Sequence, residues 1–229
     1  MALSTLEARW FFPGPLEEAG PGIEAWFRTR PIDRGSRGPP LAWDPAPPAW
    51  RQDRYLLVPG HDDMGFKWRE GRLEIKGREA ALGYTVFAPA IEGMCERWIK
   101  WSYAGAAIEQ RFLGLFRSVP SAGVVLVEKR RLQRLLALDA AGDATEIGRG
   151  GPRARGIHVE LAQIRLAERP AYWSLAFEAF PGDASMTEPF SRIVARFLEG
   201  CPALPLAAAQ SMAYPRWLRD LDRPDPTSG

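Results

Sequence analysis

Apolar and charged positions alternate with a period of two in one segment of the chain after another. In Arg72–Arg78 the residues Arg72, Glu74, Lys76 and Arg78 fall on one side of an extended backbone, and Leu73 and Ile75 on the other. Lys67 and Arg69 stand in the same way opposite Phe66 and Trp68 within Gly65–Gly71. With Arg54–Pro59 and the turn at Gly60–Asp63, these segments predict a three-stranded meander. The pattern recurs in Glu96–Ser102, Val124–Arg131, Ile157–Gln163 and Trp173–Ala179, and Glu7–Phe12 supplies a further strand. That makes roughly eight strands, the number that closes a barrel wide enough for a packed interior or one small ligand. Helices are predicted over Ile23–Arg28 and Glu188–Glu199.

Composition favours this reading. Pro and Gly, 21 and 22 residues spread along 229, interrupt helices and favour short strands with turns, while 46% apolar and 25% charged residues describe an ordinary globular chain. Which face of the barrel points inward follows from size. Trp10, Phe12, Phe66, Trp68, Trp173 and Phe177 are too bulky to share the bore of an eight-stranded barrel, so helices are expected to cover them from outside. The charged rows then face the interior. The expected fold is α+β: a closed eight-stranded antiparallel barrel with a charged lumen and helices packed on its outer surface. It is expected as a single domain over residues 1–218, with a Pro-rich surface loop over 31–50 and a flexible tail over 219–229.

The net charge of +2 is far from that of a general nucleic-acid binder, so any electrostatic function must come from local segregation of charge. The candidate lumen row supplies it. Arg9, Lys67, Arg69, Lys76, Arg78, Lys100, Lys129 and Arg131 stand there against Glu7, Glu74, Glu96, Glu160 and Glu178. Charges removed from water need partners, and an excess of cations suits a ligand with several phosphate groups, which Arg grips bidentately and Lys as a point charge. Cys95 and Cys201 form no paired motif, and His61 and His158, the only two histidines, have no nucleophile motif nearby, which argues against zinc and Ser-His-Asp chemistry. No segment reaches the length of an apolar membrane span, and Glu7 and Arg9 interrupt the first apolar stretch, so a cytoplasmic location is expected.

The order of these segments resembles that of the CYTH superfamily, the triphosphate tunnel metalloenzymes. Asp53-Arg-Tyr55 resembles the family's D-x-Y strand, Phe66-Lys-Trp-Arg69 its R-x-R strand, and Leu73-Glu-Ile-Lys-Gly77 the strand that offers a lysine to phosphate. Val127-Glu-Lys-Arg-Arg131 resembles the K-x-R strand, Phe177-Glu-Ala179 the late strand with a metal-binding glutamate, and Ala213–Leu218 the terminal S-Y-x-x-L signature. The first strand departs from the family's E-x-E-x-K: Glu7 is kept, but Arg9 and Phe11 replace the second Glu and the Lys.

The resemblance implies a tunnel for a phosphorylated small molecule or inorganic polyphosphate, with Mg²⁺ or Mn²⁺ held by Glu7 and Glu178. The resemblance implies that, if active, the protein is a metal-dependent phosphohydrolase that hydrolyses triphosphate or an organic phosphate, with Glu74, Glu160 and Glu178 serving metal or water activation and the eight cations named above binding substrate. Two other readings stand beside hydrolysis: a binding module of the same shape without catalysis, and an interaction scaffold using Trp26, Trp43 and Trp50 near the Pro-rich loop. Neither a membrane nor a nucleic acid is expected as partner, since no basic patch with interleaved aromatics lies outside the lumen.

Overall fold

The computed structural model of the chain describes residues 2–19, 22–32, 41–118, 123–148, 154–202 and 206–222. In chain order the elements are β1 (Leu3–Pro13), α1 (Ile23–Thr29), β2 (Arg51–Leu57), β3 (Met64–Arg69), β4 (Arg72–Ala88), β5 (Ile91–Ala104) and α2 (Ala106–Ser118). They continue with β6 (Gly123–Leu138), β7 (Ala144–Ile147), β8 (Gly156–Leu166), β9 (Tyr172–Phe180), α3 (Thr187–Leu198) and α4 (Tyr214–Asp222). All ladders are antiparallel and follow the order β2-β3-β4-β5-β1-β9-β8-β6. Pairing of β2 with β6, from Arg51↔Lys129 to Leu57↔Gly123, closes eight strands into a barrel, and β7 is added outside the ring on β6.

The barrel is inverted as its side-chain sizes require. Trp10 and Phe12 of β1, Trp173, Leu175 and Phe177 of β9, and Ile157, Val159 and Leu161 of β8 point outward and form the largest apolar core with Phe27 of α1 and Phe190, Val194 and Phe197 of α3. Phe12 stacks on Trp173 at 4.0 Å between ring centres, and Trp10 donates its indole N–H to the Glu92 carbonyl at 2.8 Å. Gly93 is required there, because a Cβ would lie 2.4 Å from the Trp10 ring. On the other flank α2 lays Phe112 over Trp68 and Leu73, with Phe66 and Ile75 at the edge of the same cluster.

The elements differ from the expectation in several places. Helix α2 was not predicted, and neither was β7. The third and fourth strands of the ring run on into a long hairpin, β4–β5, with register shifts after Arg78, Ala81 and Val86. The expected tail over 219–229 is corrected at its start: residues 219–222 complete α4, and the remainder lies outside the described residues. Part of the Pro-rich stretch, 33–40, also lies outside them. Its later half is tethered rather than free. The backbones of Asp44 and Arg131 exchange two hydrogen bonds of 2.9 Å, and Trp50 stacks under the Arg165 guanidinium at 3.9 Å and beside that of Arg130 at 4.7 Å. Trp43 packs against the main core beneath Arg130, and Trp26 lies edge-on to Phe197. Among the described residues no helix is long and apolar enough to cross a membrane.

Candidate functional site

The inward rows are not uniformly charged. At one end of the lumen they are apolar: Phe11, Tyr55, Val127, Ala162, Ile164 and Leu166 surround Trp217 and Leu218 of α4. Trp217 stacks on Phe11 at 4.2 Å and Tyr214 on Tyr55 at 5.4 Å, so the helix fills and seals this end. Phe11 therefore has a packing role where the E-x-E-x-K pattern carries Lys. Beyond the seal the same strands turn polar and enclose a cavity of about 150 Å³, lined by eight cationic and six carboxylate side chains among the described residues.

Seven of the eight cations expected to bind substrate line this cavity: Arg9, Lys67, Arg69, Lys76, Lys100, Lys129 and Arg131. Arg78 does not. It pairs with Glu96 at 2.8 Å and Asp62 at 3.1 Å. Glu7, Glu74, Glu160 and Glu178 all line it. Sequence reasoning did not assign Arg51, Asp53 or Tyr214 to the site, although Asp53 and Tyr214 lie in motifs it had noticed. The signal for Arg51 and Asp53 was the two-residue period of β2, which puts them and Tyr55 on one face.

The charges form two knots on opposite walls of the ring. On β8, Glu160 accepts from Lys129 at 2.6 Å and Arg9 at 3.0 Å, with Arg131 at 3.4 Å. Four positions away around the barrel, Glu74 on β4 meets Arg69 at 2.6 Å, Lys67 at 2.7 Å and Lys100 at 3.0 Å. Each knot sets three cations around one carboxylate. Burial raises the pKa of Glu160, but Lys129, Arg9 and Arg131 overcome it and hold the carboxyl well below the usual range. Glu74 is lowered likewise by Lys67, Lys100 and Arg69 against the opposing effect of burial.

The lysines show the cost of this crowding. Burial, with Arg9 and Arg131 adding repulsion, pushes Lys129 down to about 7 despite Glu160. Burial and Arg69 push Lys67 down to about 8 against Asp53 and Glu74. Burial raises both phenols, Tyr55 and Tyr214, so they remain neutral donors. The Tyr214 hydroxyl has no hydrogen-bond partner among the described residues. Its ring lies 5.0 Å from the Arg9 guanidinium and 5.2 Å from the Lys129 ammonium.

Between the knots, Glu7 on β1 stands in register with Glu96 on β5 and Glu178 on β9. Lys76 engages the pair that the resemblance assigns to metal, at 2.5 Å from Glu7 and 3.9 Å from Glu178, and Thr5 donates to Glu7 at 2.5 Å. Burial opposes ionisation of Glu178, but Lys76 outweighs it and lowers the carboxyl. Among the described residues no three His, Cys, Asp or Glu side chains come together as a metal site. A divalent ion wants several oxygen ligands free of competing cations. This donor set, with an ammonium on Glu7 and guanidinium groups on Glu96 and Glu160, does not fit one.

No family model matches the chain, and no curated protein matches it in sequence. Among solved structures, the PH1012 protein of Pyrococcus horikoshii is similar over 90% of this chain and 94% of its own, at 13% identity and a TM-score of 0.41. A conserved hypothetical protein of Pyrococcus furiosus is similar over 93% and 98%, at 11% and 0.42. The Pct1 RNA triphosphatase of S. pombe, solved in complex with the Spt5 CTD, is similar over 86% and 83%, at 11% and 0.34. Likenesses this distant carry no argument about fold or chemistry.

Proposed function

We propose that the barrel is a CYTH-like tunnel that binds a polyphosphorylated ligand in its cationic cavity. The observation that carries this reading is the excess of cations over carboxylates around one cavity inside the barrel. Opposite charges alone would neutralise each other in a purely structural network. Here three cations surround each of two carboxylates, and burial, with repulsion from Arg9 and Arg131 added to it, drives Lys129 to about 7. An anion placed among them would restore the lysine charges and gain Coulomb energy in a medium less polar than water. Arg9, Arg69 and Arg131 supply forked donors for phosphate oxygens, and Lys67, Lys100 and Lys129 supply point charges.

The second reading, an interaction scaffold built on exposed tryptophans, has less support, since Trp26, Trp43 and Trp50 are each engaged by rings or guanidinium groups of the same chain. A thermal-shift panel of tripolyphosphate, longer polyphosphate, nucleoside triphosphates and orthophosphate tests the proposal. A ligand at a hundred times its Kd stabilises the fold by about 2.7 kcal/mol. Polyphosphates are expected to raise the unfolding midpoint and orthophosphate to raise it least. No response to any polyanion would overturn the reading.

A further inference from the structure

The carboxylates of the cavity are already engaged by the protein's own cations. Glu160 holds Arg9, Lys129 and Arg131, Glu74 holds Lys67, Arg69 and Lys100, and Glu7 holds Lys76. A divalent ion entering here would have to displace an ammonium or guanidinium from each ligand it took, and would then face the displaced charge at close range. Arg9 is the most committed of these cations. It is held by Glu160 at 3.0 Å and Ser174 at 3.1 Å and lies over the Tyr214 ring. Its guanidinium remains charged at any pH of interest.

We infer that the cavity holds a linear chain of two or more phosphates without a divalent cation, one anionic end at each knot, with Arg9 supplying charge and the Tyr214 hydroxyl a hydrogen bond. This rests on the reading of the cavity as an anion site. Three features support it. The knots lie on opposite walls, so a single small anion satisfies one and leaves the other. Each carries more positive than negative groups, so each can accept an anionic end without gaining a metal. The hydroxyl of Tyr214 is a buried donor without a partner among the described residues, in the wall beside Arg9 and Lys129, and buried donors of that kind are normally satisfied.

Calorimetric titration of the full chain with tripolyphosphate at pH 7, in EDTA and in excess Mg²⁺, decides the matter. Binding in EDTA is expected to equal or exceed that in Mg²⁺, because the free ion neutralises the ligand and competes with Arg and Lys for its oxygens. Binding that requires Mg²⁺ or Mn²⁺ would overturn the inference and leave the anion-site reading standing. Absence of binding in both buffers would overturn the reading itself. Arg9→Gln should weaken binding in EDTA by about tenfold or more, the scale of a charge-assisted hydrogen bond. Should that variant fail to fold, Tyr214→Phe keeps the ring stack and removes only the hydroxyl, and about a threefold to tenfold loss is expected. Unchanged affinity in the folded variant tested would count against the placement.

Discussion

Glu160 is the side chain on which the lumen balances. It is buried on β8 and neutralises three cations from β1 and β6, so it ties together strands that are distant in sequence. Removing one partner of a buried ionic network leaves the rest uncompensated, at about 3 kcal/mol or more. Glu160→Gln is therefore expected to lower the stability of the unliganded protein by that amount in denaturant titration. It should also tighten polyphosphate binding, because the ligand then no longer competes with Glu160 for Arg9 and Arg131. A variant both stable and weak in binding would contradict this account. Lys129 and Lys67 set the pH response. With pKa values of about 7 and about 8 they lose charge as pH rises through that window, and an anion that raises both must take up protons on binding. Affinity for tripolyphosphate is expected to fall between pH 7 and 9, and titrations in buffers of different ionisation enthalpy at pH 8 should show net proton uptake.

At the scale of elements, α4 is what turns an open bore into a blind one. Trp217 fits between Phe11 of β1 and Tyr172 of β9, and truncating a buried aromatic costs about 3 kcal/mol or more. Trp217→Ala should therefore release the helix, seen as faster amide exchange over 214–222 with the barrel strands still protected. Loss of protection throughout would show instead that the seal is part of the barrel's cooperative unit. This helix also shows where the sequence stopped being legible. The alternation in β3, β4, β6 and β9 placed the cations of the lumen because a two-residue period maps directly onto the two faces of a strand. The same period in β2 was visible but was not used to place Arg51 and Asp53. Helix α4 has only nine residues and opens on Tyr214-Pro215, and nothing local says that its apolar stripe will be buried inside a barrel. That placement depends on Phe11, two hundred positions earlier, facing inward. Helix α2 was hidden similarly: its reason for existing is the exposed flank of Trp68 and Leu73, a surface that forms only once β3 and β4 have paired.

For the whole molecule, the pH dependence of stability has two limbs with opposite causes. Glu74, Glu160 and Glu178 ionise more readily folded than unfolded. Their contribution is complete above the unfolded carboxyl value of about 4.3 and is lost as pH falls from there toward the folded values. Lys129 and Lys67 shift stability in the same direction at higher pH, through a relieved penalty instead of a gained attraction: folded, they hold protons less tightly than the free side chain at about 10.4, so stability grows as pH rises from about 7 toward that value. Unfolding midpoints of the unliganded protein should thus drop steeply below pH 4 and climb between pH 7 and 10. A midpoint that does not move between pH 5 and 2 would contradict the ionic knots.

Asp62, in the turn between β2 and β3, bonds Arg78 of β4 at 3.1 Å and also Arg219 of α4 at 3.1 Å. One carboxylate thus moors the closing helix to the rim of the barrel, and losing its charge would loosen the helix and the neighbouring hairpin strand together.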